Sequence, residues 1–338
     1  MTTKSKPKFI DIIFTVNPTH VPCVEGELIK QRPEPDIEDD QATERAQVIE
    51  SIDNLFESEI LGEFVKNSGQ YIILPKGTKI LNGIYALLNK YIRDSIGFEE
   101  VVLPKIAPVD TFRKAGILSK WDNYLISVKP FSQTKGVKEE YLMDPLQCTA
   151  FYQFHENKII DVSKGPRKWY DRSGPTYRNE DSDKIFPSIK QREFHRAEFM
   201  YLGTKEQVIE TRETCLAQLE KLCHDLGLRY RIVVGSGCYQ LKEGEIPAPE
   251  SVEEIPIKDL EIYCQGHKNK DGEPYLEVVG SSILADTMTS RFNIRGSNGE
   301  ELWSGCTGIG LNRLMYAIIS TYGTEFENLP IRLQEAIR

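Results

Sequence analysis

The sequence predicts an α+β fold: a largely antiparallel sheet flanked by helices. Two patterns carry this. Several strand-like segments, such as Tyr230–Val234, Lys258–Tyr263 and Tyr275–Ser281, follow one another without the intervening helix that a doubly wound parallel sheet requires. Amphipathic stretches of helical length, such as Lys205–Leu226, are set apart from those runs.

Taken in order, Phe9–Val16 predicts a strand ended by Asn17 and Pro18, and Pro33–Asp40 an exposed acidic linker. Gln41–Lys66 has helical spacing, with Ala46, Ile49, Ile52, Leu55, Ile60 and Leu61 on one face. After a turn at Leu74–Gly77, Thr78–Ile96 predicts a second amphipathic helix with Ile80, Ile84, Leu87, Leu88 and Ile92 inward. Val101–Leu103 is a short strand closed by Pro104. Further strands are expected at Leu125–Val128, Thr176–Arg178, Glu193–Leu202, Tyr230–Val234, Lys258–Tyr263 and Tyr275–Ser281. Helices are expected at Pro145–Asn157, Lys205–Leu226 and Gly310–Tyr322. There is no internal repeat and no low-complexity tract.

Composition narrows the function. No apolar run approaches the roughly 20 residues of a membrane span, and the N-terminus lacks the cleavage pattern of a signal peptide. The expected location is the cytoplasm. The net charge of -9 weighs against a polyphosphate backbone as the main partner, although Lys164, Arg167 and Lys168 could form a local basic patch. The seven cysteines show no CxxC pairing, so a disulfide framework is not expected. Read alone, each cysteine is a small buried apolar residue.

Three segments carry chemistry. Asp171–Gly203 reads as strand, polar loop, strand. Arg178 and Glu180 are two residues apart and share a face, with Arg192 and Phe194 on the return strand. An arginine there can bind a phosphate, a carboxylate can accept from an amine, and an aromatic ring can stack on a purine. An ordinary surface hairpin with an ion pair fits the same residues. Ser304–Arg313 (SGCTGIGLNR) is not a good GxGxxG; it reads as a glycine-rich strand packing under a nucleotide, with Arg313 offering charge to a phosphate. Gly97–Pro104 (GFEEVVLP) reads only as helix, strand, turn.

In this order and spacing, GFEEVVLP, YRNE through REFHRAE, and GCTGIGLNR resemble motifs 1, 2 and 3 of class II aminoacyl-tRNA synthetases. SGPTYR, EFHRAEFMYLG and GCTGIGLNRL more narrowly resemble the zinc-dependent, methanogen-type seryl-tRNA synthetases and the related amino acid–carrier protein ligases. The resemblance runs from about Ser68 to Tyr322. It implies a class II catalytic domain over 68–338, preceded by a short acidic segment over 1–67.

The resemblance also implies a site. Zn²⁺ would be held by Cys148, Glu198 and Cys306, leaving one position for the substrate amine. ATP and an amino acid would be substrates, with an aminoacyl-adenylate as product. Arg178 would clamp the α-phosphate and the carboxylate. Glu180 would hold the adenine amine or the substrate, and Arg192 would belong to the same ATP-binding group. Phe194 and Arg313 would sandwich the adenine, and Glu277 would bind Mg²⁺. Asn312 stands where motif 3 usually has an acid, and Gly280–Asp286 lacks the asparagine of a serine-recognising strand, with Ile283 near that place. The short, acidic N-terminal segment makes the phosphopantetheine thiol of a carrier protein the expected acceptor. Charging of tRNA is one alternative and a non-catalytic, amino-acid-sensing paralogue another. Motif 1 implies a homodimer.

Overall fold

The computed structural model describes residues 21–32, 53–128, 140–181, 184–240 and 246–338. Its centre is a nine-stranded sheet. The strands are β1 (Leu28–Gln31), β2 (Glu99–Val101), β3 (Arg167–Asp171), β4 (Pro175–Tyr177), β5 (Glu193–Gly203), β6 (Tyr230–Val234), β7 (Ile257–Tyr263), β8 (Tyr275–Ile283) and β9 (Trp303–Gly310). They run in the order β1-β6-β7-β8-β9-β5-β3-β2, with β4 paired to β5. Every pairing is antiparallel except β2 with β3. The expected α+β architecture is therefore the observed one.

The central strand β5 shows why the sheet lies between two layers. Ala197, Phe199 and Tyr201 point into one apolar cluster, while Met200 and Leu202 point into another. Period-2 alternation sends successive side chains to opposite faces, so a strand covered on both sides is apolar throughout. Glu198 breaks that run and is fully buried.

The first cluster is closed by α1 (Pro75–Leu88), α3 (Lys205–Asp225) and α4 (Leu311–Tyr322). The start of α3 is fixed by a capping box: Thr204 Oγ1 accepts from Gln207 N, and Gln207 Oε1 accepts from Thr204 N. The second cluster contains α2 (Cys148–His155) and Thr287–Arg291. Among the described residues, no helix is long and apolar enough to cross a membrane.

Several expectations are corrected. The helix expected over Gln41–Lys66 is reduced, among its described residues, to Asp53–Glu57. Glu59 adopts φ +57° and ends it, and Leu61–Glu63 then pairs with Tyr71–Ile73 as a hairpin. Leu55, Ile60 and Leu61 are buried as their spacing implied, but Ile60 and Leu61 reach the core from outside that helix. The second helix begins at Pro75 and passes into a π-helical turn over Asn89–Asp94. The basic residues Arg167 and Lys168 belong to strand β3. From the segment before residue 68, β1 is an edge strand of the main sheet and Leu55 lies in its core. Phe9–Val16 and Pro33–Asp40 lie outside the described residues.

Candidate active site

Three strands and one helix start converge on a cleft of about 240 Å³, lined by residues far apart in the chain. Glu198 comes from β5 and Cys306 from β9. The register pairs Glu198 with Gly308 and Met200 with Cys306. Cys148 is the first residue of α2, which packs beneath the same sheet face. The two sulfurs and a carboxylate oxygen of Glu198 all lie within 4.8 Å of one another, and all three residues are buried.

This donor set fits a zinc ion. Two thiolates and a carboxylate are zinc ligands, and three protein ligands leave one position open. Both Glu198 oxygens are buried without a well-directed hydrogen bond, and burial pushes this carboxyl up; a cation beside it would restore the ionised form. Arg196 supplies part of that charge, its Nε standing 2.8 Å from Glu198 Oε2. Burial disfavours the Arg196 charge, but the Glu198 carboxylate holds the guanidinium protonated, well above its ordinary value. Hydrogen bonding to Cys148 and then burial push the Cys306 thiol well up, so its ionisation requires a cation beside it. The Tyr239 hydroxyl lies 2.7 Å from Cys148 Sγ.

The rest of the cleft is built for a charged, planar ligand. Arg178 follows β4 directly, and its guanidinium carbon stands 4.4 Å from the Trp121 ring centroid and 5.1 Å from that of Phe194. This sandwich fixes the arginine without consuming its donors, and its Nε has no hydrogen-bond partner. Burial, then the neighbouring Arg196, pushes Arg178 down to about 10, which leaves it charged at neutral pH. Glu180 is buried on the same wall, 3.2 Å from Lys190 Nζ.

Arg313, on α4, donates from Nη1 to the Glu277 carbonyl at 2.9 Å and from Nε to the Ile189 carbonyl at 2.9 Å. Its Nη1 is also 3.4 Å from the Glu277 carboxylate. Asn312 Oδ1 accepts from His195 N at 2.7 Å, so the residue replacing an expected acid ties α4 to β5. Opposite Glu277 is Glu261, and Asp259 lies two residues along the same strand. Burial first, and the Glu277 charge second, push the Asp259 carboxyl well up.

One expected contact is not where it was placed. Arg192 does not line the cleft; its guanidinium donates to the Glu180 and Ser68 carbonyls and holds the loop between β4 and β5. The polar main chain of that loop captured it. Four residues of the site went unread in the sequence: Arg196, Trp121, Tyr239 and Asp259. Arg196 was accessible in principle, being two residues before Glu198 and hence on the same strand face. The other three are brought in by tertiary folding alone.

Comparisons with known proteins bear on the fold and the family. The family model described as tRNA synthetase class II core domain (G, H, P, S and T) matches residues 130–322. A type-2 serine–tRNA ligase of Methanocaldococcus jannaschii is 28% identical over 289 residues, covering 77% of this chain and 54% of the relative. One from Methanococcus aeolicus is 28% identical over 310 residues, covering 83% and 58%. The chain thus spans little more than half the length of these relatives. Among solved structures, M. kandleri SerRS, determined in complex with A. aeolicus tRNASec, superposes with a TM-score of 0.78 at 20% identity, covering 94% of this chain and 64% of that one. With the family model matching more than half of its length, the chain belongs to the class II tRNA synthetase core family.

Proposed function

We propose that this protein activates an amino acid with ATP, forming an aminoacyl-adenylate, and transfers the aminoacyl group to tRNA. The observation that carries the reading is the convergence of Cys148, Glu198 and Cys306, with both cysteines lining the same cleft as Arg178, Glu277 and Arg313. Zinc, bound by the first three, would supply a Lewis-acidic anchor for a neutral α-amine. In the reaction, a carboxylate oxygen of the amino acid attacks the α-phosphorus of ATP. The bond to the pyrophosphate leaving group breaks in line. Arg178 neutralises charge on the α-phosphate and aligns the carboxylate. Phe194 stacks on the adenine with Arg313 on its other side, Glu180 accepts from the adenine amine, and Glu277 would hold Mg²⁺, which would supply charge neutralisation on the phosphates. Placement and charge neutralisation do most of the work in such a transfer.

The relatives' names put serine first as amino acid and tRNA ahead of a carrier-protein thiol as acceptor, a reversal of the order drawn from charge and length. The reaction belongs in the cytoplasm. A homodimer is proposed from the exposed apolar residues Val102, Ile106, Phe154 and Ile159 around motif 1.

The test is ATP–pyrophosphate exchange with each amino acid, alongside measurement of bound zinc. Serine-dependent exchange is expected, and Cys306→Ala is expected to lose the metal and lower exchange by about 100-fold or more. Full exchange in that variant would falsify the metal reading. Zinc binding without exchange for any amino acid would favour a sensing paralogue. Labelled serine offered to tRNA and to phosphopantetheinylated carrier proteins decides the acceptor, and labelling of the carrier alone would reject tRNA.

A further inference from the structure

We propose that Asp171, acting through Gln147 and Lys105, is a positioning residue that sets two of the three metal ligands in register. The proposal rests on the zinc reading above. Asp171 is fully buried at the end of β3, and the sheet register places it directly beside Glu198. Its Oδ2 accepts from Gln147 Nε2 at 3.0 Å and is ion-paired with Lys105, while Oδ1 accepts from Ser173 N at 3.0 Å. Gln147 in turn is fully buried and immediately precedes Cys148. A single carboxylate therefore connects the strand beside one ligand to the turn that carries another.

The turn needs such support. Gln147 adopts φ +66°, a conformation rare for a residue with a long side chain and costing of order 1–3 kcal/mol. Its side chain is held by Asp171 and its backbone N donates to Asp144 Oδ1 at 3.0 Å. Asp144 N donates to the Lys105 carbonyl at 2.9 Å, so the turn is closed on the residue that also neutralises Asp171. Lys105 offsets the charge of Asp171. Cys306 reaches the site through the β5–β9 register and makes no use of this network. Loss of the network is thus expected to loosen Cys148 most, Glu198 less and Cys306 least. Groups that orient ligands in this way usually affect metal affinity more than overall folding.

The experiment compares wild type with Gln147→Leu, Asp171→Asn and Lys105→Arg in full-length protein. Zinc affinity is read by competition with a chromophoric chelator, and ligand geometry by the sulfur-to-metal charge-transfer and d–d bands of the cobalt(II)-substituted protein. Urea unfolding with chelator present reports the metal-free fold. Gln147→Leu and Asp171→Asn are expected to weaken zinc by about 10- to 100-fold and to lower the charge-transfer intensity. Lys105→Arg, which keeps the ion pair, is expected to stay within about threefold of wild type. If Asp171→Asn does not fold, Gln147→Leu decides, because it leaves the Lys105–Asp171 pair intact. Wild-type affinity and spectrum in a folded Gln147→Leu protein would overturn the proposal alone. Failure of wild type itself to bind zinc would overturn both it and the metal reading beneath it.

Discussion

Gly308 shows how tightly single residues are constrained around the site. A Cβ at this position would fall 1.9 Å from Arg196 Nη2 and 2.4 Å from Glu198 Oε2. Both contacts are side-chain ends, so a Cβ would push the fully buried Glu198 carboxylate and the Arg196 guanidinium away from their present places. Glycine here is a steric requirement of the carboxylate ligand and not a general flexibility device. Gly308→Ala is expected to fold but to hold zinc at least about tenfold more weakly, as measured by chelator competition. A variant with undiminished affinity would show that Glu198 tolerates displacement. The motif GCTGIG thus contains two different residues of consequence: Cys306 as a proposed donor and Gly308 as the space beside a second proposed donor, Glu198.

At the scale of one element, α2 combines a proposed metal-ligand start, Cys148, with an aromatic end. His155 lies among Phe151, Phe154 and Trp169, with ring centroids 4.7, 5.0 and 4.8 Å away. Its Nδ1 is 2.8 Å from the Phe151 carbonyl oxygen, which it reaches as a donor. Burial pushes its imidazole down to about 4 from an ordinary 6.5. The unfolded chain therefore takes up a proton before the folded one does. The stabilising contribution is complete above pH 6.5 and is lost as pH falls toward 4. The shift corresponds to roughly 3 kcal/mol at full titration. Urea unfolding of wild type and His155→Phe is expected to converge in pH dependence above 6.5, with a steeper loss for wild type below it. Parallel curves down to pH 4 would show that His155 titrates normally.

At the scale of the whole molecule, the second apolar cluster ends at a surface that water covers poorly. Val102 is 82% exposed and Ile159 73%, with Phe154 and Ile106 about half exposed beside them. Val102, Ile106 and Phe154 line one apolar groove, a surface that favours association, and an isologous contact would bury it twice over. Sedimentation is expected to give twice the chain mass. The double substitution Val102→Glu with Phe154→Glu is expected to shift the protein toward monomer while its far-ultraviolet dichroism stays unchanged. A wild-type monomer at micromolar concentration would reject the homodimer.

The sequence by itself determined the sheet-dominated architecture and most long elements. The strand Tyr230–Val234 and the helices starting at Lys205 and near Leu311 have periodicities that local side-chain placement alone enforces. Through its resemblance to a family, it also named Cys148, Glu198, Cys306, Arg178 and Arg313, because those residues sit in short recognisable strings. It could not place Arg192 outside the cleft, since that depends on which carbonyls the loop presents to it. Nor could it reveal Asp171 beside Glu198, Tyr239 against Cys148, or Trp121 under Arg178. Those neighbours are distant in the chain, and only strand register and layer packing bring them together. Periodicity records which face a residue occupies; folding alone decides what it meets there.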